Sequence, residues 1–313
     1  MAKVLAVLGA TGQQGSSVVE YVINDQELSQ KYAIRAVTRS VDSAKAQLLK
    51  EKVEVVQGDV SDQASLEKAF TGVHTLFAMT TPALGEDAIQ IEYNIIKTIA
   101  DVAVEKGVEY IIFSTLPSVT DISQGKYQGV TPFDAKAKGE EYIRGLPIKS
   151  SFYCPGSFME NFASQPFLAP QPDPDHNGTW VLSRNMPSES EMPLIDAIGD
   201  GGKFVGAILA DPDKYQGKKI CAATKLYTME EMATVLSEST GKTVIYKQVS
   251  DEKFAQSLPP PVVTIFVDYF KYIGEFGYFG PGSKELVAWA AAQARGKLST
   301  FQEYLKAHPY ELA

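Results

Sequence analysis

Residues 4–15 read VLAVLGATGQQG, and the fold of this chain turns on that stretch. An apolar run leads into three glycines, Gly9, Gly12 and Gly15, set three apart. Glycine is common in tight turns, so the triplet carries little weight alone. Its place carries more: it follows a strand-like run and opens a helix-like one, as a phosphate-binding turn must. In such a turn Gly9 reverses the chain, Gly12 lets the backbone approach a pyrophosphate, and Gly15 lets the helix pack on the strand. The N–H groups of the helix N-terminus then face the anion.

The pattern repeats downstream. Apolar runs of β type occur at KVLAVLG, AIRAVT, VEVVQGD, TLFAMT, YIIFST and IKSSFYCP. Between them the spacing predicts helices over 16–24, 43–50, 64–71, 88–106 and 133–145, with Ser43 and Ser61 or Asp62 as caps. Short apolar runs alternating with amphipathic segments predict an α/β fold, a doubly wound parallel sheet of Rossmann type. The proline-rich stretch QPFLAPQPDPDHNGTW reads as an irregular connection or a hairpin leaving the sheet. After it, AIGDGGKFVGAILADPDKYQGKKICAA reads as a return to the main sheet. A helix over 229–240, a strand over 244–249 and the aromatic stretch TIFVDYFKYIGEF complete a smaller α+β domain above the carboxyl edge of the sheet. The expected division gives 1–156 and about 192–223 to a nucleotide-binding domain, and about 157–191 and 224–313 to the smaller one.

Composition narrows the function. The 313 residues carry a net charge of −9, which speaks against a nucleic-acid footprint. Two cysteines without CxxC spacing and three scattered histidines predict neither a disulfide framework nor a metal site. The opening apolar run ends in the glycine turn rather than a cleavage site, and no run approaches the roughly 20 residues of a membrane span. A cytoplasmic protein is expected, with no membrane partner.

Nucleotide choice is read where the second strand ends, at VTRSVDSAK. An acidic residue there would accept the ribose hydroxyls of NAD(H). Arg39 comes first instead, with Ser40 beside it, and a guanidinium fork suits a 2′-phosphate. NADP(H) is therefore preferred over NAD(H).

The segments GATGQQG, RAVTRS, VVQGDVSD, FDAKAKGEEYI, PGSFMENF and DPDKYQGKKI, in this order and spacing, resemble the NmrA-like family. These are NADP-binding, atypical relatives of the short-chain dehydrogenases/reductases, and they include fungal nitrogen regulators and redox sensors. The resemblance runs over nearly the whole length. It implies that Gly9, Thr11, Gly12, Gln13, Gln14 and Gly15 hold the pyrophosphate, and Arg39 with Ser40 the 2′-phosphate. Asp59 and Val60 would flank adenine; Thr80, Thr81 and Pro82 would lie along the ribose and diphosphate. Lys136 would reach the nicotinamide ribose, and Phe158, Met159, Glu160 and Asn161 would line the nicotinamide end. Asp59 reads equally well as a turn former at the end of the third strand. A regulatory protein partner, a homodimer and a nuclear as well as cytoplasmic location fit the same resemblance.

Ordinary members of the wider superfamily use a Tyr four residues before a Lys, plus a Ser after the fifth strand. Ser114 is present, but four residues past Tyr127 stands Thr131, and four before Lys136 stands Pro132. The dyad is broken, and Tyr127 reads as a loop aromatic. Isoflavone-reductase-like relatives lack the Tyr and use a lysine at a similar helical position, a role open to Lys136 as catalytic acid. Two functions follow. A cofactor-responsive redox sensor with little or no turnover is favoured by the broken dyad. The alternative is an oxidoreductase, reducing a small carbonyl, enone or quinone with NADPH. Phe266, Phe270, Ile273 and Phe276 recur at helical spacing and are expected in the core, with a substrate lid as the competing role.

Overall fold

All six apolar runs become strands: β1 (Lys3–Leu8), β2 (Tyr32–Thr38), β3 (Glu54–Gln57), β4 (Thr75–Ala78), β5 (Tyr110–Ser114) and β6 (Lys149–Pro155). The computed structural model describes residues 2–312. Later in the chain come β7 (Ser157–Phe158), β8 (Gln171–Pro172), β9 (Thr179–Arg184), β10 (Glu191–Ile195), β11 (Lys219–Ala222), β12 (Lys225–Thr228) and β13 (Thr243–Gln248). The main sheet has seven strands in the order β11-β6-β5-β4-β1-β2-β3, and every pairing in it is parallel. β4 and β5 are buried along their whole length, as strands covered on both faces must be. One face packs Val18, Val22, Phe204 and Ile208; the other packs Phe70, Ile96, Ile99 and Ile143.

The strand order reverses between β1 and β4, and ligands of open α/β sheets bind outside the carboxyl ends at that point. The glycine turn follows β1 and Thr80–Pro82 follows β4, so both expected contact segments border one crevice.

A second domain covers this edge. It contains two three-stranded sheets, β12-β10-β7 and β13-β9-β8. The proline-rich connection forms a 3-10 turn at Pro166–Leu168 and then the antiparallel β8–β9 pair, as a hairpin outside the main sheet. As expected, helix Gly201–Ala210 and β11 return to the main sheet, where Cys221 stands opposite Cys154 on β6. Helix Met229–Thr240 starts in a capping box of Thr228 and Glu231 and stops at Gly241 in a left-handed conformation, φ 67°. Helix Val263–Phe276 and Phe254, Tyr272 and Phe301 supply much of this domain's aromatic core.

Two helices start two or three residues earlier than the sequence suggests. Helix Gln13–Asn24 begins directly at the glycine turn, and Thr131–Arg144 takes Pro132 into its first turn. Proline is tolerated there because the N–H it lacks has no intrahelical partner.

Candidate functional site

The three glycines do three different things. Gly9 has φ 65°, and a Cβ there would meet the Met79 Sδ at 2.8 Å. The Gly12 N–H donates to the Gly9 carbonyl at 2.8 Å, closing the turn. Gly15 lies against that same turn: a Cβ on it would stand 2.2 Å from the Gly9 oxygen. Gly12 differs, because a Cβ there would meet only the Gly9 oxygen, at 3.3 Å. The helix it opens has no side-chain cap, so its first-turn N–H groups are left for an outside acceptor. This cradle fits a pyrophosphate.

Arg39 and Ser40 are exposed just past β2. Among the described residues Arg39 has no ion-pair partner. At the end of β3 the Asp59 carboxylate accepts from the Ser61 N–H at 2.9 Å and the Ser61 hydroxyl at 2.7 Å. These bonds, with the Arg39 charge behind them, hold its carboxyl below the usual range. Asp59 is thus a turn former in this structure, and Val60 packs partly into the core beside it.

Lys136, on helix Thr131–Arg144, is buried, 6% exposed. Its Nζ donates to the Thr80 carbonyl at 2.9 Å, the Thr80 hydroxyl at 2.8 Å and Glu92 Oε1 at 2.5 Å. An ammonium has three N–H donors, so all are engaged within the protein. The Thr80 hydroxyl in turn donates to Glu92 Oε1 at 2.6 Å. Glu92 is 1% exposed, and its other oxygen, Oε2, has no partner among the described residues. Burial pulls the Lys136 pKa below that of an ordinary lysine, while the Glu92 charge pushes it back. Glu92 was not singled out in the sequence, although a signal existed. It falls in step with Ala88, Ile96 and Ile99 on the buried stripe of helix Ala88–Glu105, where a carboxylate needs a partner. Lys138 is an exposed helical lysine over the Tyr93 ring.

Between the cradle and the smaller domain lies a cavity of about 430 Å³. Gln13, Gln14, Thr80, Thr81, Pro82 and Lys136 line it on the sheet side. Ser114 joins them, its hydroxyl donating to Gln14 Oε1 at 2.7 Å. Phe158 and Asn161 reach the wall. Met159 is instead fully buried in the core, and the Glu160 carboxylate accepts from the Ala197 and Ile198 N–H groups. Tyr127 does not border the cavity: its hydroxyl donates to Glu275 Oε1 at 2.5 Å, and burial and that bond push its pKa up.

The aromatic stretch packs into the core as expected and also borders the cavity. Phe266 and Phe270 line the cavity with Tyr269, while Tyr272 and Ile273 pack into the core. A helix at the boundary of two domains exposes one flank of its apolar stripe to the space between them. Among the described residues no cluster of His, Cys, Asp or Glu is placed to hold a metal ion, and no helix is long and apolar enough to cross a membrane.

Comparisons with known proteins agree with this architecture. The NmrA-like family domain-containing oxidoreductase cpsB of Aspergillus campestris is 29% identical over 309 residues, 93% of this chain and 89% of that one. NmrA, a negative transcriptional regulator solved in complexes with NAD and with NADP, shares the fold at a TM-score of 0.77. Its identity to this chain is 23%, covering 97% of this chain and 94% of that one. The NADPH-dependent quinone oxidoreductase QOR2 of Escherichia coli, solved with NADPH, is also similar in fold, at a TM-score of 0.75. A sequence profile described as the NmrA-like family matches residues 1–305. With the Rossmann sheet, the glycine cradle and a family match over almost its whole length, the chain belongs to the NmrA-like family.

Proposed function

We propose that this protein binds NADP(H) across the switch point and reduces a small carbonyl, enone or quinone. The observation that carries the reading is the aromatic-walled cavity of about 430 Å³, bordered at once by the cradle helix, Ser114 and Lys136. In this reading Gly9, Thr11, Gly12, Gln13, Gln14 and Gly15 hold the pyrophosphate. Arg39 and Ser40 take the 2′-phosphate, Asp59 and Val60 flank adenine, and Thr80, Thr81 and Pro82 follow the ribose. Phe158 and Asn161 border the nicotinamide end. The bound cofactor supplies hydride; the chain supplies orientation, exclusion of water and a proton. Lys136 donates that proton by giving up one of its three internal bonds, and burial makes its proton easier to transfer than that of an ordinary lysine. The oxidoreductase naming of cpsB and QOR2 supports the same reading.

One observation favours the regulator instead. Every Lys136 N–H is already bound inside the protein, and Tyr127 is held by Glu275 away from the cavity. A sensor that passes cofactor state to a protein partner needs neither group free. Loss of NADPH absorbance with a panel of carbonyls, enones and quinones separates the two. Turnover above about 1 s⁻¹, the low end of enzyme rates, is expected with at least one of them. The rate should fall as pH rises through the lowered Lys136 pKa, because the acid is lost. Tight NADPH binding with no oxidation across the panel returns the regulator reading.

Cofactor choice has its own test. NADP(H) should bind about tenfold to a hundredfold more tightly than NAD(H), the worth of charge-assisted bonds at about 1.5–3 kcal/mol. Arg39→Ala should remove that margin and leave NAD(H) binding in place. Equal calorimetric affinities in the native protein would show that Arg39 does not read the phosphate.

A further inference from the structure

We propose that the ligand of the cavity carries a carboxylate, bound by Arg184. This rests on the reading of the cavity as a substrate site and names the class of substrate. Arg184 ends β9 in the smaller domain, lines the cavity and is 5% exposed. One Nη donates to the Ser183 carbonyl at 2.6 Å, and the other to the Leu168 carbonyl. A guanidinium has five N–H donors, so most of its fork is left over.

No carboxylate of the described residues pairs with it. The guanidinium lies 4.9 Å from the Phe270 ring centre and 6.0 Å from that of Phe254, and the titratable groups acting on it are the phenols of Tyr246 and Tyr269. The Tyr246 hydroxyl is taken by the Met186 carbonyl, at 2.5 Å. Burial pulls the Arg184 pKa down to about 10, which leaves it charged at neutral pH. Lys136, the other cation on the wall, is matched by Glu92, and no Asp or Glu lines the cavity. Arg184 also borders a neighbouring recess lined by Asp173, which Lys247 holds at 2.8 Å, and by Asp175, which is exposed; neither pairs with Arg184.

A buried charge without a counter-ion is costly, and buried arginines are ordinarily paired. The aromatic faces offset part of that cost by cation–π attraction. A ligand carboxylate offsets the rest, because its two oxygens match the planar fork. Aromatic walls and one unmatched guanidinium therefore select an aromatic or conjugated acid over its neutral analogue. The sheet side, with Ser114 and Lys136, is left for the reducible carbonyl.

The test compares 2-naphthoate with methyl 2-naphthoate, which share a ring system and differ in charge. Calorimetry on the protein saturated with NADP⁺ should give the acid at least about tenfold tighter binding, one charge-assisted bond's worth. Arg184→Met should abolish that preference and spare the ester. Should Arg184→Met fold poorly, Arg184→Lys keeps the charge, loses the fork and should retain only part of the preference. Equal affinity for the two probes in the native protein, no binding of the acid, or a preference that survives Arg184→Met overturns the proposal. Turnover of 4-formylbenzoate and its methyl ester keeps the two readings apart. Acid-selective binding without NADPH oxidation would overturn the reductase and uphold the Arg184 site. Equal kcat/KM for the acid and its ester would overturn the Arg184 site and uphold the reductase.

Discussion

Lys136→Met is expected to lower the unfolding free energy by about 3–5 kcal/mol, the range for removing one partner of a buried ion pair. It leaves Glu92 at 1% exposure with only the Thr80 hydroxyl as donor. Glu92→Gln should cost a similar amount, since it strands the ammonium. The double variant should recover much of the loss, because both charges are then gone and the volumes are nearly kept. Denaturant melts of the four proteins read this directly. Additive single-variant costs would show that the pair is not coupled. If the protein is a reductase, Lys136→Met should also slow turnover on the order of 10²–10⁴-fold.

Gly12→Val and Gly15→Ala should fail in opposite ways. Gly12 has φ −91° and ψ 176°, extended backbone that valine adopts readily, and its Cβ would meet only the Gly9 oxygen at 3.3 Å. The fold should survive, with the melting temperature little changed. The added methyls, however, stand where a pyrophosphate must approach. Losing two charge-assisted bonds at about 1.5–3 kcal/mol each weakens every nicotinamide nucleotide by about 100-fold or more. Gly15→Ala meets backbone instead: the Gly9 oxygen at 2.2 Å, the Gly9 carbonyl carbon at 2.6 Å and the Ala10 Cα at 2.9 Å. None of these can rotate away, so about 3 kcal/mol of stability should be lost. Nucleotide titration and thermal melts of both variants separate the two effects. Near-native nucleotide affinity in Gly12→Val would dismiss the cradle, and a native melting temperature in Gly15→Ala would dismiss the packing argument.

What was legible in the sequence was local in the chain. The apolar runs and helical spacing between them set the parallel sheet, because a strand buried on both faces must be apolar throughout. The glycine triplet was legible for the same reason, being defined by its position just past a strand end. Ser114 could likewise be placed at the end of the fifth strand, and the missing dyad partner of Lys136 could be counted off.

Packing between distant segments decided the rest. Lys136 read as a donor free to reach a ribose; the fold buries it against Glu92, which lies 44 residues earlier in the chain. Phe266 and Phe270 carry a helical period that marks an apolar face without saying whether protein or empty space lies against it. Arg184 sits at the end of an ordinary strand, and nothing near it in sequence shows that its charge is buried without a counter-ion among the described residues. Periodicity reports which way a side chain points from its own helix or strand. Whether a charge meets a partner there depends on which element folds against it, and only the tertiary structure settles that.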